Sequence, residues 1–279
     1  MSLRARRRLF DRAATIVCLA FTAAACWPLL SVLWELWQRG HGALSWEFLS
    51  SLPTPPALPG GGILHAIVGT LMVVAIGTAI GAPIGLLAGV WLAEGKGGRL
   101  AGFVRTVTEA MAGMPSIVAG LFGYALVVSR FGFSAWAGGV ALSLLMLSPV
   151  TRTAEEALLA VPKGLREASM ALGAPRWKTT VRVVLPAAWA GVTTGLLLAV
   201  SRIAGETAPL LLTVNTSFFL VTDPAQPVAT LPGLIYSWGK SAYDKQVEQA
   251  WGAALVLIAA ILAVNLLVRF LARARRAKQ

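Results

Sequence analysis

Long apolar segments separated by short polar connections run through the whole chain. Six of these segments are long enough to form membrane-spanning helices, at residues 13–37, 65–93, 103–129, 133–150, 187–212 and 250–271. A helix of about 20 residues crosses the hydrocarbon core of a bilayer. Inside that core the backbone must satisfy its own hydrogen bonds, which favours helices. The pattern therefore predicts an all-α integral membrane protein with six transmembrane helices.

Composition and charge agree with this pattern and orient it. Of the 279 residues, 57% are hydrophobic and 13% are charged, and the formal net charge is +12. On the six-span prediction, 19 of the 24 Lys and Arg residues fall on one side, which includes both termini and residues 151–186. Cytoplasmic segments carry the excess of Lys and Arg, so we expect this side to be cytoplasmic. The positive charge thus indicates membrane topology and not nucleic-acid binding.

The spans divide the chain into three parts. Residues 1–64 hold a basic segment, the first helix and an external loop, residues 65–272 form the main membrane domain, and residues 273–279 are a basic cytoplasmic tail. Within the second span small residues recur every four positions, at Gly77, Gly81, Gly85 and Gly89. Small residues at this spacing let two helices approach closely. We therefore expect the second span to pack against protein.

The third predicted span contains two polar features. Arg105 and Glu109 lie four residues apart near its cytoplasmic end, a spacing that predicts a local ion pair. Pro115 falls within the predicted helix ten residues further on.

Few side chains suggest catalysis or metal binding. Cys18 and Cys26 both lie in the first span, and His41 and His65 are isolated, so no metal-ligand spacing is present. The segment around Lys240 lacks the glycine and the preceding strand of a phosphate-binding loop. We expect no catalytic residue, no metal site and no cofactor on this chain.

The connection between the fourth and fifth spans carries residues at fixed spacing. The constrained positions are Glu167, Ala168, Ser169, Gly173, Val183, Leu185 and Pro186. Prolines and a glycine divide residues 151–186 into helical stretches at 153–161, at 163–172 and from Pro175 onward. Gly173 stands where a helix commonly ends in a left-handed conformation. The middle stretch is amphipathic, with Leu165, Ala168, Ser169 and Leu172 on one face, which suits a groove on a partner or an anionic lipid surface.

The fixed spacing resembles the cytoplasmic coupling loop of importer-type ABC permeases of type-1, MetI-like architecture. Three segments are also similar to the A-type permease subunit of the phosphate-specific (Pst) importers: MPSIVAGLFG at 114–123, GETAPLL at 205–211 and DPAQPVATLP at 223–232. The resemblance implies a multi-pass permease of the bacterial plasma (inner) membrane that translocates inorganic phosphate. It implies that residues 167–186 contact the ATPase.

The same resemblance implies a set of partners. These are a second, related (C-type) permease subunit, two ATPase subunits, an external phosphate-binding protein and membrane lipid. ATP and Mg would bind to the ATPase chains, so this chain would be a transport subunit and not an enzyme.

Charged residues occur inside the fifth predicted span. Arg202 and Glu206 lie four residues apart, on one face of the predicted helix, and Thr207 follows. A charge inside a span costs about 2.5–3.5 kcal/mol on insertion scales and usually faces a bundle interior or an aqueous path. Arg suits oxyanions because its planar fork donates two hydrogen bonds to phosphate oxygens. We predict that Arg202 lines a translocation path, oriented by Glu206, with Thr207, Thr213 and Thr216 as neutral donors; a purely structural ion pair is the alternative.

Other functions stay open at this point. A permease for another oxyanion, such as sulfate or molybdate, would share the coupling loop. An ion-coupled secondary carrier would work without an ATPase and would have no use for the pattern at 167–186. A membrane enzyme acting on lipid phosphate would need a cluster of His, Asp or Lys at the interface, and none is visible.

Overall fold

The computed structural model describes the backbone of residues 3–95 and 97–276. Side chains are described for residue 7 and for residues 10–95 and 97–266. Several basic positions that predict the topology, namely Arg4, Arg6, Arg8, Lys96 and those after residue 266, including the tail at 273–279, lie outside the described side chains. The described backbone is helical and contains no β-strand, so the predicted all-α class is confirmed.

The N-terminal half forms six helices and two shorter helical segments. In chain order these are α1 (Leu3–Gly40), a 3-10 turn (His41–Ala43), α2 (Trp46–Ser50), α3 (Leu64–Glu94), α4 (Arg99–Ala112), α5 (Ser116–Gly123), a π-helical segment (Tyr124–Val128) and α6 (Ser129–Phe131).

The C-terminal half contributes seven more helices. These are α7 (Ala135–Leu159), α8 (Lys163–Ala171), α9 (Arg176–Thr179), a second π-helical segment (Thr180–Val184), α10 (Leu185–Ala204), α11 (Ala208–Leu211), α12 (Leu231–Trp238) and α13 (Asp244–Arg276). The α9 helix, the π segment and α10 form one continuous helix, Arg176–Ala204.

Several of these helices are long and apolar enough to cross a membrane. Within the described residues four segments qualify: Phe10–Ala43, Leu64–Glu94, Arg176–Ala204 and Asp244–Leu266. A bent pair of helices, Arg99–Ala112 and Ser116–Phe131, raises the number to five if it counts as one span. The chain is therefore a multi-pass membrane protein. The predicted spans at 13–37, 65–93 and 250–271 each fall within a single helix, as predicted.

The third predicted span is not one helix. The chain bends by 105° between α4 and α5, so the prediction of a continuous helix at 103–129 was wrong. Pro115 lies at the break and not inside a helix, with an extended ψ of 134°. Proline cannot donate a backbone hydrogen bond. Gly113, two residues earlier, ends α4, and together the two residues interrupt the hydrogen-bond ladder.

Two other helix boundaries differ from the prediction. The fourth span continues through Leu159, so the separate helix predicted at 153–161 is the end of α7. The helical stretch predicted from Pro175 onward runs into the fifth span as one helix, Arg176–Ala204, but this helix ends eight residues before the predicted limit of 212. Gly205 forms a turn there, and a new short helix begins at Ala208, with Pro209 in its first turn.

The glycines of α3 lie against α7. All four are buried. A Cβ at Gly89 would lie 2.6 Å from the carbonyl oxygen of Thr151 and 2.7 Å from Cβ of Ala154. At Gly77 it would lie 3.0 Å from Cβ of Leu142. The two backbones are therefore in direct contact, and the predicted close packing of the second span is confirmed.

A compact apolar cluster joins the ends of α7 and α10. Its buried members are Leu158, Val161, Val184, Ala188 and Val192, with Leu86 and Val90 of α3 packed against them. This cluster fixes the two points between which residues 162–183 leave and re-enter the helical bundle.

Candidate functional site

The helix α8 forms the centre of the loop between α7 and α10. It begins directly after Pro162 and ends at Ala171. Gly173 adopts φ +83°, the left-handed conformation predicted for it. The N–H of Gly173 donates to the carbonyl of Met170 (2.9 Å), and that of Ala174 donates to Ser169 (3.2 Å). These two bonds form a Schellman motif, which satisfies carbonyls left free at a helix end.

One face of α8 is apolar and exposed. Leu165, Ala168 and Leu172 share this face, and Leu172 is 90% exposed. Glu167, beside them, is also exposed. Ser169 was predicted on the same face, but it turns inward, where its hydroxyl shares a 2.9 Å hydrogen bond with the hydroxyl of buried Thr179. A soluble monomer seldom exposes an apolar helix face, so this face is suited to a partner.

The remaining residues of the motif lie where the loop re-enters the bundle. The N–H of Leu185 donates to the carbonyl of Thr180, five residues back, which makes the preceding turn π-helical. Pro186 explains the wider turn, because proline has no N–H and its ring clashes with the carbonyl four residues earlier. Val183 and Leu185 are half-buried, and Leu185 packs on the apolar cluster at the helix ends. These residues anchor the loop to the helical bundle.

Arg166 attaches α8 to the ends of the neighbouring helices, which the sequence did not indicate. Its guanidinium lies on the carboxylate of Glu94, with Nη2 2.9 Å from Oε1. It also donates to the backbone carbonyls of Leu158 (2.8 Å) and Val161 (2.7 Å). A lone carboxylate at the end of a long apolar span was the available signal for Glu94.

The Arg202 and Glu206 side chains meet, but not on one helix. Arg202 lies in the last turn of α10, whereas Glu206 follows the helix end at Ala204, which corrects the prediction of a shared helical face. Arg202 Nε lies 3.8 Å from Glu206 Oε1. The side chain of Arg202 is 56% exposed and that of Glu206 is 19% exposed. The guanidinium is therefore accessible, while the carboxylate is largely enclosed by protein.

The threonines predicted as neutral donors lie in different surroundings. Thr207 is half-buried directly before α11. Thr213 is fully buried, and its hydroxyl donates to the carbonyl of Pro209 at 2.8 Å. Thr216 lies exposed in the following loop. Thr207 is thus the threonine next to the charged pair, and Thr213 belongs to the core.

The predicted ion pair between Arg105 and Glu109 is wrong. Arg105 contacts Glu155 of α7 instead, with Nη2 2.7 Å from Oε1. The neighbouring Glu156 pairs with Arg152 on its own helix at 3.1 Å. In the part of the chain that the structure describes, no three His, Cys, Asp or Glu side chains are grouped so as to hold a metal ion.

The family described as binding-protein-dependent transport system inner membrane component matches residues 81–277. The chain belongs to this family of transport permeases. The matched range includes α8 and both members of the Arg202–Glu206 pair. It begins within α3, so α1 and the loop that follows it lie outside the match.

Close relatives of the permease carry a more specific name. It is 38% identical over 265 residues to the phosphate transport system permease protein PstA of Yersinia pestis, covering 94% of this chain and 90% of that protein. It is 42% identical over 247 residues to PstA of Haemophilus influenzae, covering 88% and 86%. The resemblance found in the sequence is therefore confirmed at the level of the whole chain.

Solved structures support the fold. A chain of the MetNI methionine ABC transporter aligns with a TM-score of 0.65 at 21% identity, covering 76% of the permease and 95% of that chain. A chain of a bacterial ABC transporter involved in alginate import aligns with a TM-score of 0.69 at 14% identity, covering 96% and 99%. The permease thus has the fold of ABC importer membrane subunits.

Proposed function

We propose that this permease is a membrane-spanning subunit of an ATP-driven importer that translocates inorganic phosphate across the bacterial inner membrane. The observation that carries the proposal is its similarity, over nearly the whole chain, to proteins named phosphate transport system permease PstA. The accessible guanidinium of Arg202 agrees with an oxyanion as cargo.

The proposed topology has six spans with both termini in the cytoplasm. The helix α7 supplies the remaining span, because it packs against α3 along the glycine face from Gly77 to Gly89. Arg152, Arg166 and Lys163 then lie on the same side as the N-terminal arginines, in agreement with the positive-inside rule.

The proposed energy source is a separate ATPase. The exposed apolar face of α8, with Glu167 beside it, fits a groove on such a partner. ATP and Mg would bind to that partner, present in two copies. A second, C-type permease subunit and an external phosphate-binding protein complete the proposed assembly.

The proposed translocation path passes Arg202. The 3.8 Å separation from Glu206 is longer than that of the other ion pairs among the described side chains, which range from 2.5 to 3.1 Å. A loosely held guanidinium can exchange its carboxylate for a passing anion. Conduction needs binding weak enough to release, so tight binding would reside in the external protein.

Uptake of radiolabelled phosphate by proteoliposomes tests the proposal. The complete complex is reconstituted with binding protein outside and ATP inside, and sulfate and molybdate are added in excess in parallel samples. We expect uptake that requires ATP, resists both competitors and is lost in Glu167→Lys. Exposed Glu156→Lys, one loop away, is the matched control.

Each other result points to a different carrier. Uptake without ATP would identify an ion-coupled carrier and refute the proposal. Uptake abolished by sulfate or molybdate would retain the ATP-driven importer and change its cargo.

Arg202 is tested separately in the assembled complex. We expect Arg202→Gln to reduce phosphate uptake by about ten-fold or more, since it removes the charge that attracts the anion. Exposed Arg130→Gln, outside α10, is the control and should transport normally. Unchanged uptake in Arg202→Gln would leave the pair a structural role only.

A further inference from the structure

Arg166 makes four hydrogen bonds, two to Glu94 of α3 and two to carbonyls at and just after the end of α7. Nε and Nη2 donate to Oε1 of Glu94 at 3.2 and 2.9 Å, Nη1 donates to the carbonyl of Val161 at 2.7 Å, and Nη2 donates to that of Leu158 at 2.8 Å. The side chains of Arg166 and Glu94 are 18% and 23% exposed. Charge-assisted hydrogen bonds in such partly enclosed positions are among the stronger polar contacts in proteins.

The acceptors belong to elements that end at the same place. Glu94 is the last residue of α3. The Leu158 and Val161 carbonyls lie at the C-terminal end of α7, where a cation is favoured because the final carbonyls carry partial negative charge. The second carboxylate oxygen of Glu94 lies 3.4 Å from the hydroxyl of Thr180, whose proton is shared with the carbonyl of Arg176 at 3.1 Å. Thr180 begins the π segment that leads into α10.

We propose that Arg166 and Glu94 form a clasp that transmits displacement of α8 to α3, α7 and α10 together. The covalent links of α8 are the short segments after α7 and before α9, and on their own they would let α8 tilt independently. Arg166 removes this freedom because one planar guanidinium contacts both helix ends at once. Both residues are positioning residues. The inference rests on the proposed function for the source of the movement, an ATPase bound to α8.

An ion pair within α7 provides a matched control. Arg152 and Glu156 lie 3.1 Å apart on α7, with side chains 63% and 64% exposed. Exposed pairs of this kind contribute little, and both members belong to one helix. Removing the charge of Arg152 changes the local charge as much as removing that of Arg166, but it breaks no contact between different helices.

The first test measures phosphate uptake and ATP hydrolysis on the same proteoliposomes. In Arg166→Gln and Glu94→Gln we expect the phosphate taken up per ATP hydrolysed to fall by about 5-fold or more, as a lost coupling of the usual size requires. The ATPase subunits should co-purify in normal amounts. The double variant should be no worse than either single variant, Arg166→Lys should be intermediate, and Arg152→Gln should match the unmodified protein.

A second measurement is independent of the cargo. With Cys18 and Cys26 replaced by Ala, spin labels at Lys163 on α8 and Trp91 on α3 report the distance between the two helices. A closed clasp keeps this distance the same with and without ATP, and Arg166→Gln broadens its distribution.

The outcomes separate the two proposals. An unmodified complex that takes up no phosphate would refute the proposed function, while the spin-label distances would still test the clasp. An unchanged uptake-to-hydrolysis ratio in both Gln variants would refute the clasp alone, as would a distance that changes when ATP binds to the unmodified complex.

Discussion

The guanidinium of Arg105 on α4 contacts the carboxylate of Glu155 on α7, with 2.7 Å between Nη2 and Oε1. The same nitrogen donates to the carbonyl of Leu92 on α3 at 3.2 Å. The Glu155 side chain is 14% exposed, so its contact with Arg105 is largely shielded from water. One arginine thus holds the short helix before the 105° bend against two of the long helices.

Removing this pair should loosen α4. We expect Glu155→Gln to lower the free energy of unfolding by about 1 kcal/mol, the usual net contribution of a hydrogen bond to a charged group that is partly open to solvent. Thermal unfolding of the purified complex in detergent measures the change. Glu156→Gln, which removes an exposed carboxylate one position away, should leave the unfolding temperature unchanged. Equal effects of the two variants would show that the contact with Arg105 is not stabilising.

The glycine face of α3 should not tolerate side chains. Gly89→Val places atoms where Thr151 O and Ala154 Cβ already lie, at 2.6 and 2.7 Å from the new Cβ. Overpacking of this kind typically costs about 1–3 kcal/mol, so we expect a lower unfolding temperature and less protein in the membrane. Gly102→Ala on α4 meets nothing within 4 Å and is the control. A fully stable Gly89→Val would contradict the backbone contact between α3 and α7.

Gly173 should be required for its backbone conformation. Its φ is +83°, and nothing lies within 4 Å of a built Cβ, so any effect of Gly173→Ala arises from the backbone alone. We expect a cost of about 1–2 kcal/mol, seen as weaker co-purification of the ATPase subunits. Gly173→Asn should be milder because Asn tolerates the left-handed region. Gly164→Ala, equally uncrowded but helical, should be neutral.

The exposed face of α8 should matter for assembly and not for folding. Leu172 is 90% exposed, so Leu172→Asp should leave the unfolding temperature of the isolated permease unchanged. In the complex it should abolish co-purification of the ATPase. Leu220→Asp, which changes an exposed leucine in the loop after α11, should leave the ATPase bound. Normal binding in Leu172→Asp would place the partner elsewhere on the loop.

Local rules predicted the loop at α8 well. The helix begins after Pro162, as expected, and ends within one residue of the predicted position, because proline and a left-handed glycine fix φ whatever surrounds them. The prediction that the glycine face of α3 packs closely was correct for a similar reason. Four-residue spacing places small residues on one side of any helix, and only close packing makes use of them.

The predictions that were wrong concern features that depend on contacts between distant parts of the chain. Pro83 and Pro149 lie inside continuous helices, so the proline at 115 gave no reliable sign of a break. Arg105 has the carboxylate of Glu109 four residues away, but it binds that of Glu155, 50 positions further on. Sequence spacing does not show which of the two carboxylates is the partner. Glu206 was assigned to the helix of Arg202 because hydropathy continues past the turn at Gly205.

The bare contact between α3 and α7 has a mechanical consequence. A Cβ atom of α7 lies against each of the four glycines of α3, which resists sliding, so we expect the two helices to tilt together as one stiff unit. With 31 residues, α3 is about 46 Å long. A tilt of about 10° at the end held by Arg166 would therefore carry the opposite end about 8 Å, enough to change the width of a pathway beside it.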